Sequence, residues 1–152
     1  MNTMPMKNFT MSSDVLRRSE LYGLLDALCH EIELTESQFD AAKANYEAVG
    51  NWLSGSEHGS LKKLEIYVHG STALGTTVKP LGAEEHDVDL ICHVPGFSPV
   101  RPPSELKKLI GDRLREHGKY AAILEEKKRC WRLNYAREFH LDISPTVPNP
   151  AC

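Results

Sequence analysis

Three carboxylates and one Gly-Ser pair have the types and spacing to do chemistry. Gly70-Ser71 follows the apolar run Leu64-Glu65-Ile66-Tyr67-Val68, and Asp87-Val88-Asp89 begins sixteen positions after Ser71. Residues i and i+2 of a strand share a face, so Asp87 and Asp89 lie side by side while Val88 and Leu90 turn to the core. Two adjacent carboxylates repel unless a cation neutralises them. Hard oxygen ligands in a row suit magnesium or manganese rather than zinc. Asp142 stands in the run Phe139-His140-Leu141-Asp142-Ile143, where Leu141 and Ile143 are the inward residues. If the two strands are neighbours, three carboxylates converge, enough to hold two metal ions against the attacking and leaving oxygens of an in-line displacement. Asp142 is then the ligand that distinguishes the ion at the attacking ribose hydroxyl. Gly70 permits close approach of backbone to a phosphate. Ser71 offers its hydroxyl and its N–H at a helix start, where the dipole favours anions. The joint pattern points to nucleotidyl transfer from nucleoside triphosphates.

The elements around these residues follow from periodicity. Leu21, Leu24, Leu25, Leu28 and Ile32 have helical spacing and predict a first helix over 14–33. Thr35 with Gln38 predicts a capping box for a second, whose stripe is Phe39, Ala42, Tyr46, Val49 and Leu53. A strand over 64–68 runs into a short helix at Gly70-Ser71, and a loop covers 78–85. A second strand covers 87–94, and the proline-rich segment 95–103 is a connector. Ser104 is expected to cap a third helix, with Leu106, Leu109, Ile110 and Leu114 inward and Gly118 as its stop. A third strand is expected within 121–135, clearest at 130–135, and a fourth over 138–147. The fold class is α/β (α+β): a mixed β-sheet flanked by helices, with two N-terminal helices. Residues 1–12 are expected to be disordered, leaving 13–152 as one catalytic core.

Composition narrows the partners. The chain has 152 residues, 41% hydrophobic and 26% charged, with a formal net charge of −3. That is ordinary for a soluble domain with one core. A protein that grips long nucleic acid usually carries a basic face. Here only Lys127-Lys128-Arg129 with Arg132 forms a local basic cluster, so no long nucleic acid is expected. No run is long and apolar enough to cross a bilayer, and the N-terminus does not resemble a signal peptide. A cytoplasmic protein with no membrane partner is the expectation. The four cysteines, Cys29, Cys92, Cys130 and Cys152, match no zinc or disulfide pattern and are expected to be buried free thiols. His69, His86 and His140 flank the motif as bland polar positions, since phosphoryl chemistry of this kind needs no histidine.

Residues 67–80 (Tyr67-Val68-His69-Gly70-Ser71 through Lys79-Pro80), then His86-Asp87-Val88-Asp89-Leu90, then Phe139 to Pro145 resemble bacterial CD-NTases. These are the cGAS/DncV-like nucleotidyltransferases of CBASS anti-phage systems, within the DNA polymerase β-like superfamily and related to 2'-5'-oligoadenylate synthases. The segment Tyr46-Glu47-Ala48-Val49-Gly50-Asn51-Trp52-Leu53 is also similar to the helix ahead of the Gly-Ser strand in that family. The resemblance covers roughly residues 15 to 150. It implies a polymerase β-like palm that uses magnesium (or manganese) to join nucleoside triphosphates into cyclic or linear oligonucleotide signals, releasing pyrophosphate. By motif position, Asp87, Asp89 and Asp142 become the catalytic metal ligands and Gly70 and Ser71 the triphosphate contacts. His69 stands where the family often has an amide, and Ala73 in a region that often carries a basic residue; neither removes a metal ligand. Family members are longer and continue into a helical half that closes over the nucleotide. The resemblance therefore implies an N-terminal catalytic half, truncated before that half and completed by it or by a partner chain.

Two other functions fit parts of the pattern. A minimal nucleotidyltransferase of a toxin–antitoxin module, modifying protein or RNA, is naturally short, but keeps its Asp-x-Asp closer to the Gly-Ser. A non-catalytic nucleotide-binding fragment would leave three matched carboxylates idle.

Overall fold

The computed structural model describes residues 13–79, 85–136 and 138–149. They fall in two units, one ending at Glu33 and one beginning at Leu34. The first holds helix α1, Ser13–Ile32. Its helical periodicity is as the sequence predicts, but none of its residues is buried, and Leu21, Leu24, Leu25, Leu28 and Ile32 are all exposed.

The second unit is built on a five-stranded sheet. Its elements are α2 (Glu36–Ser54), β1 (Glu65–His69), α3 (Gly70–Leu74), β2 (His86–His93), α4 (Pro103–Arg115), α5 (Gly118–Ile123), β3 (Leu124–Glu126), β4 (Trp131–Tyr135) and β5 (Phe139–Thr146), with a 3₁₀ turn at Gly59–Leu61. The strand order is β1-β2-β5-β4-β3. β2 and β5 run parallel and every other pairing is antiparallel. The last described strand thus enters the middle of the sheet.

The α2 capping box forms as its residues dictate. The Gln38 N–H donates to Thr35 Oγ1, and Gln38 Oε1 accepts from the Thr35 N–H at 3.0 Å. Ala42, Val49 and Leu53 of its stripe are buried and Tyr46 is partly so, but Phe39 stays exposed, against expectation. Phe39 sits in the first turn, where the stripe has only begun to face the sheet.

Helix α4 starts two residues earlier than expected. Pro103 stands at its first position with Pro102 before it, so Ser104 lies inside the helix and no side chain caps it. Proline suits that position because its missing N–H would have no helical partner. Gly118 opens α5 rather than merely stopping α4. The segment expected to hold one strand holds the end of that helix and two strands, β3 and β4. The loop expected over 78–85 lies largely outside the described residues, as do the first twelve residues and Cys152. Cys92 is buried, and its thiol is pushed up to about 12 by that burial. Cys130 is only partly covered and Cys29 is exposed, so burial describes one of the three cysteines that can be seen.

One face of the sheet is apolar and covered. Val88, Leu90, Cys92, Trp131, Leu133, Leu141 and Ile143 line it, with Leu106, Ile110 and Leu114 of α4 and Val49 and Leu53 of α2 in the same core. Two tryptophans fasten the helices. Trp52 Nε1–H donates to the Arg113 carbonyl at 3.0 Å, and Arg113 Nη2 returns a bond to the Trp52 carbonyl at 3.0 Å. Trp131 Nε1–H donates to the Lys107 carbonyl at 2.7 Å. Gly111 lets α4 lie against Trp131, because a Cβ there would stand 2.2 Å from the indole. Helix propensity favours alanine over glycine by about 1 kcal/mol, whereas overpacking a rigid ring costs about 1–3 kcal/mol. Gly111→Ala is therefore expected to destabilise the fold by about 1–2 kcal/mol, read as a lower urea midpoint. An unchanged or higher midpoint would show that Trp131 yields.

Candidate active site

The opposite face of the sheet carries the chemistry. Strand alternation turns Asp87 and Asp89 of β2 away from Val88 and Leu90, which are 1% exposed. It turns Asp142 of β5 away from Leu141 and Ile143, which are 0% exposed. The parallel ladder then sets Asp89 directly beside Asp142, and Asp87 beside His140. The structure thus brings together all three carboxylates singled out in the sequence.

Their mutual repulsion is visible in Asp89. Burial, then the charges of Asp142 and Asp87, push its carboxyl above the usual carboxylate range. Gly70 and Ser71 stand at the neighbouring edge. His69, the last residue of β1, pairs in register with Asp89, and α3 starts immediately after it. No side chain caps α3. Gly70 has φ +61°, a conformation that L side chains rarely adopt. A Cβ at Gly70 would meet Asp89 Oδ2 at 2.3 Å. The space freed by the glycine is thus taken up by a carboxylate, a use of Gly70 that its position in the motif did not announce. Ser71 is held by its own turn: its hydroxyl accepts from Thr77 Oγ1 at 3.1 Å and its carbonyl from the Thr76 N–H at 2.9 Å.

Two histidines adjoin the acids in register, His69 beside Asp89 and His140 beside Asp87. His86 is buried against Phe139, ring centroids 5.5 Å apart, and burial lowers its pKa. His140 Nδ1 lies 3.1 Å from Glu85 Oε2.

One residue of the site was misread in the sequence. Arg132, grouped there with a basic surface cluster, belongs to the carboxylates. Its Nε and Nη2 donate to the two oxygens of Asp142, each at 2.7 Å, and Nη2 also reaches Asp87 Oδ1 at 3.1 Å. The signal was present in alternation: Arg132 lies between Trp131 and Leu133, both inward, on the strand antiparallel to β5. Among the described residues no group of three or more His, Cys, Asp or Glu is arranged to hold a metal ion; a guanidinium bridges two of the three carboxylates instead. A cavity of about 680 Å³ lies away from this centre, lined by Trp131, Lys107 and Arg129 among others. Trp131 points to the face opposite Arg132.

A mixed sheet with an Asp-x-Asp strand beside a third aspartate strand, and a Gly-Ser helix start at its edge, defines the DNA polymerase β-like nucleotidyltransferase fold. Residues 64–145 match the family described as "Cyclic GMP-AMP synthase DncV-like, nucleotidyltransferase domain". The chain belongs to that family and carries a nucleotidyltransferase domain of the CD-NTase type. It is 36% identical over 129 residues to a c-di-GMP synthase of Roseivirga ehrenbergii, a match covering 84% of this chain and 34% of that protein. Its fold superposes on the Bradyrhizobium diazoefficiens CD-NTase CdnG, solved in complex with GTP, with TM-score 0.66 and 25% identity over 78% of this chain and 34% of that one. It also superposes on the Cid1 terminal uridylyl transferase, with TM-score 0.59 over 84% of this chain and 36% of that one; at 15% identity this likeness concerns the fold alone. The chain spans about a third of the length of these relatives.

Two predictions follow from the geometry. Gly70→Ala and Gly75→Ala both place a side chain at positive φ, but nothing lies within 4 Å of a Cβ at Gly75. Gly75→Ala is expected to cost about 1–2 kcal/mol, the left-handed penalty alone. Gly70→Ala is expected to cost more, because Asp89 must also move; equal losses in urea unfolding would show that Asp89 does not depend on the glycine. The second concerns pH. A carboxyl raised on folding costs stability above its raised value, and the cost fades as pH falls to the ordinary value of 3.8. Asp89→Asn is therefore expected to raise the melting temperature of the metal-free chain at pH 8, with the gain shrinking towards pH 4. A gain independent of pH would refute the repulsion.

Proposed function

We propose that this chain forms the catalytic sheet of an enzyme that joins nucleoside triphosphates into a cyclic or linear oligonucleotide signal and releases pyrophosphate. The observation that carries the proposal is the register of Asp89 with Asp142, with Asp87 on the same face. The donor set suits magnesium or manganese, being three hard carboxylates in a row. The cluster already holds a cation across two of its members, the guanidinium of Arg132, as a cation site should. Asp87, Asp89 and Asp142 would hold the metal. Bound there, it would supply Lewis acidity to the phosphates and to an attacking hydroxyl.

The chain's own residues do the rest. Gly70 keeps the start of α3 open and seats Asp89 beside it. Ser71 and the uncapped first turn of α3 offer donors to a triphosphate. Asp142 would orient the attacking ribose hydroxyl and serve as its proton acceptor. The likeness to a c-di-GMP synthase makes GTP the substrate we favour, with a cyclic dinucleotide as product. The family resemblance supports a role in anti-phage signalling, in the cytoplasm where nucleoside triphosphates are abundant. The chain corresponds to about a third of its relatives' length. The proposal therefore includes a helical C-terminal half, on the same polypeptide or a partner chain, that closes over the nucleotide.

The test is incubation with labelled ATP, GTP, CTP and UTP and magnesium or manganese, beside Asp87→Ala and Asp89→Ala. A phosphatase-resistant product is expected from GTP, reduced on the order of a thousandfold in either variant. Undiminished product in either one refutes the site. Nucleotide binding without product would make this chain the nucleotide-holding part alone, with turnover requiring the remaining half.

A further inference from the structure

Five residues align across the whole sheet. His69 of β1 pairs with Asp89 of β2, Asp89 with Asp142 of β5, Asp142 with Arg132 of β4, and Arg132 with Glu125 of β3. Arg132 stands in this row between two carboxylates, Asp142 on one side and Glu125 on the other. It grips both oxygens of Asp142 and one of Asp87. The pair is well sheltered: the Arg132 side chain is 20% exposed and that of Asp142 is 16% exposed. A two-pronged Arg–carboxylate pair is among the stronger hydrogen-bonded contacts, and a guanidinium does not lose its proton in a protein. The positive charge here is therefore permanent.

A divalent ion bound by Asp142 would need an oxygen that the guanidinium now holds, and would lie a few ångströms from a fixed positive charge. We propose that Arg132 is a resident counter-ion that competes with the metal for Asp142. This rests on the metal assignment above. In the empty site Arg132 neutralises Asp142 and Asp87. Metal loading shifts it off at least one Asp142 oxygen, towards Glu125, its register neighbour on β3. Cross-strand neighbours of this kind have Cβ atoms only about 5 Å apart, so the shift needs a side-chain rotation and no backbone movement. The nucleotide-free site then takes metal poorly. The negative charge of a triphosphate tips the balance, so metal and nucleotide load together.

The test is manganese binding to the full chain without nucleotide, read from the electron paramagnetic resonance signal of the free ion. Arg132→Gln removes the competing charge and is expected to bind manganese at least about tenfold more tightly than the unaltered chain, since the dielectric of water sets the lower bound for one unit charge a few ångströms from a divalent ion and the site is sheltered. Arg132→Lys keeps the charge and should stay much closer to the unaltered chain. A residue that merely braced the sheet would weaken binding when lost, so the sign of the change separates the two roles. Asp89→Asn should abolish binding; if it does not, the metal assignment falls and this inference with it. If Asp89→Asn abolishes binding while a folded Arg132→Gln binds no more tightly than the unaltered chain, the competition is refuted and the metal site stands. A second measurement needs no variant chain. With 15N-arginine labelling, the Nε–H signal held by Asp142 should move on magnesium titration, and a signal unmoved at saturating magnesium overturns the displacement.

Discussion

The parallel ladder between β2 and β5 forces three like charges together, and the rest of the second unit is arranged around that constraint. The ladder forms because its other face is apolar. Val88, Leu90, Leu141 and Ile143 are all essentially without solvent contact, and burying each such side chain contributes about 1.5–3 kcal/mol. Repulsion between partly hydrated carboxylates is on the order of 1 kcal/mol per pair at these separations. Burial therefore wins, and the carboxylates are held in register by residues on the opposite face. The same alternation that builds the core places the acids.

Much of this was legible in the chain itself. Alternation around Asp87, Asp89 and Asp142 gave both the strands and the face each acid occupies. The Thr35–Gln38 box and the stripe after it located α2 to within a residue. What escaped were features that local pattern does not encode. Ser104 looked like a cap because serine so often is one, but Pro103 was better placed to start the helix. The segment after Gly118 mixes short elements whose boundaries depend on what they pack against, so two strands and a short helix were read as one strand. Arg132 escaped for a similar reason. In sequence it adjoins Lys127, Lys128 and Arg129; its place between Trp131 and Leu133 gives the face it occupies, and the hairpin between β4 and β5 gives its acidic partner.

Strand β4 works on both sides of the sheet. Trp131 reaches one way and ties α4 to the core through its bond to Lys107 and its fit over Gly111. Arg132 reaches the other way and clasps Asp142 and Asp87. The position of the guanidinium therefore depends on how well α4 seats against the indole. Changes at Gly111, which packs on the face of the sheet opposite the acid cluster, bear on that cluster through two consecutive residues of one strand.

The central position of β5 also matters for biosynthesis. Asp89 and Asp142 are about fifty residues apart in the chain, and contacts so distant form slowly. As the polypeptide leaves the ribosome, β1 with β2 and β3 with β4 are each able to pair before β5 has emerged. Until it does, β2 and β4 both present an open edge, the kind of surface that recruits other chains. Asp87 and Asp89 would ride on one fragment and Arg132 on the other, with Asp142 still to come. A translational pause or a nick ahead of Phe139 would leave two sticky hairpins of opposite local charge, so the interval before β5 arrives is when this sheet most needs a chaperone.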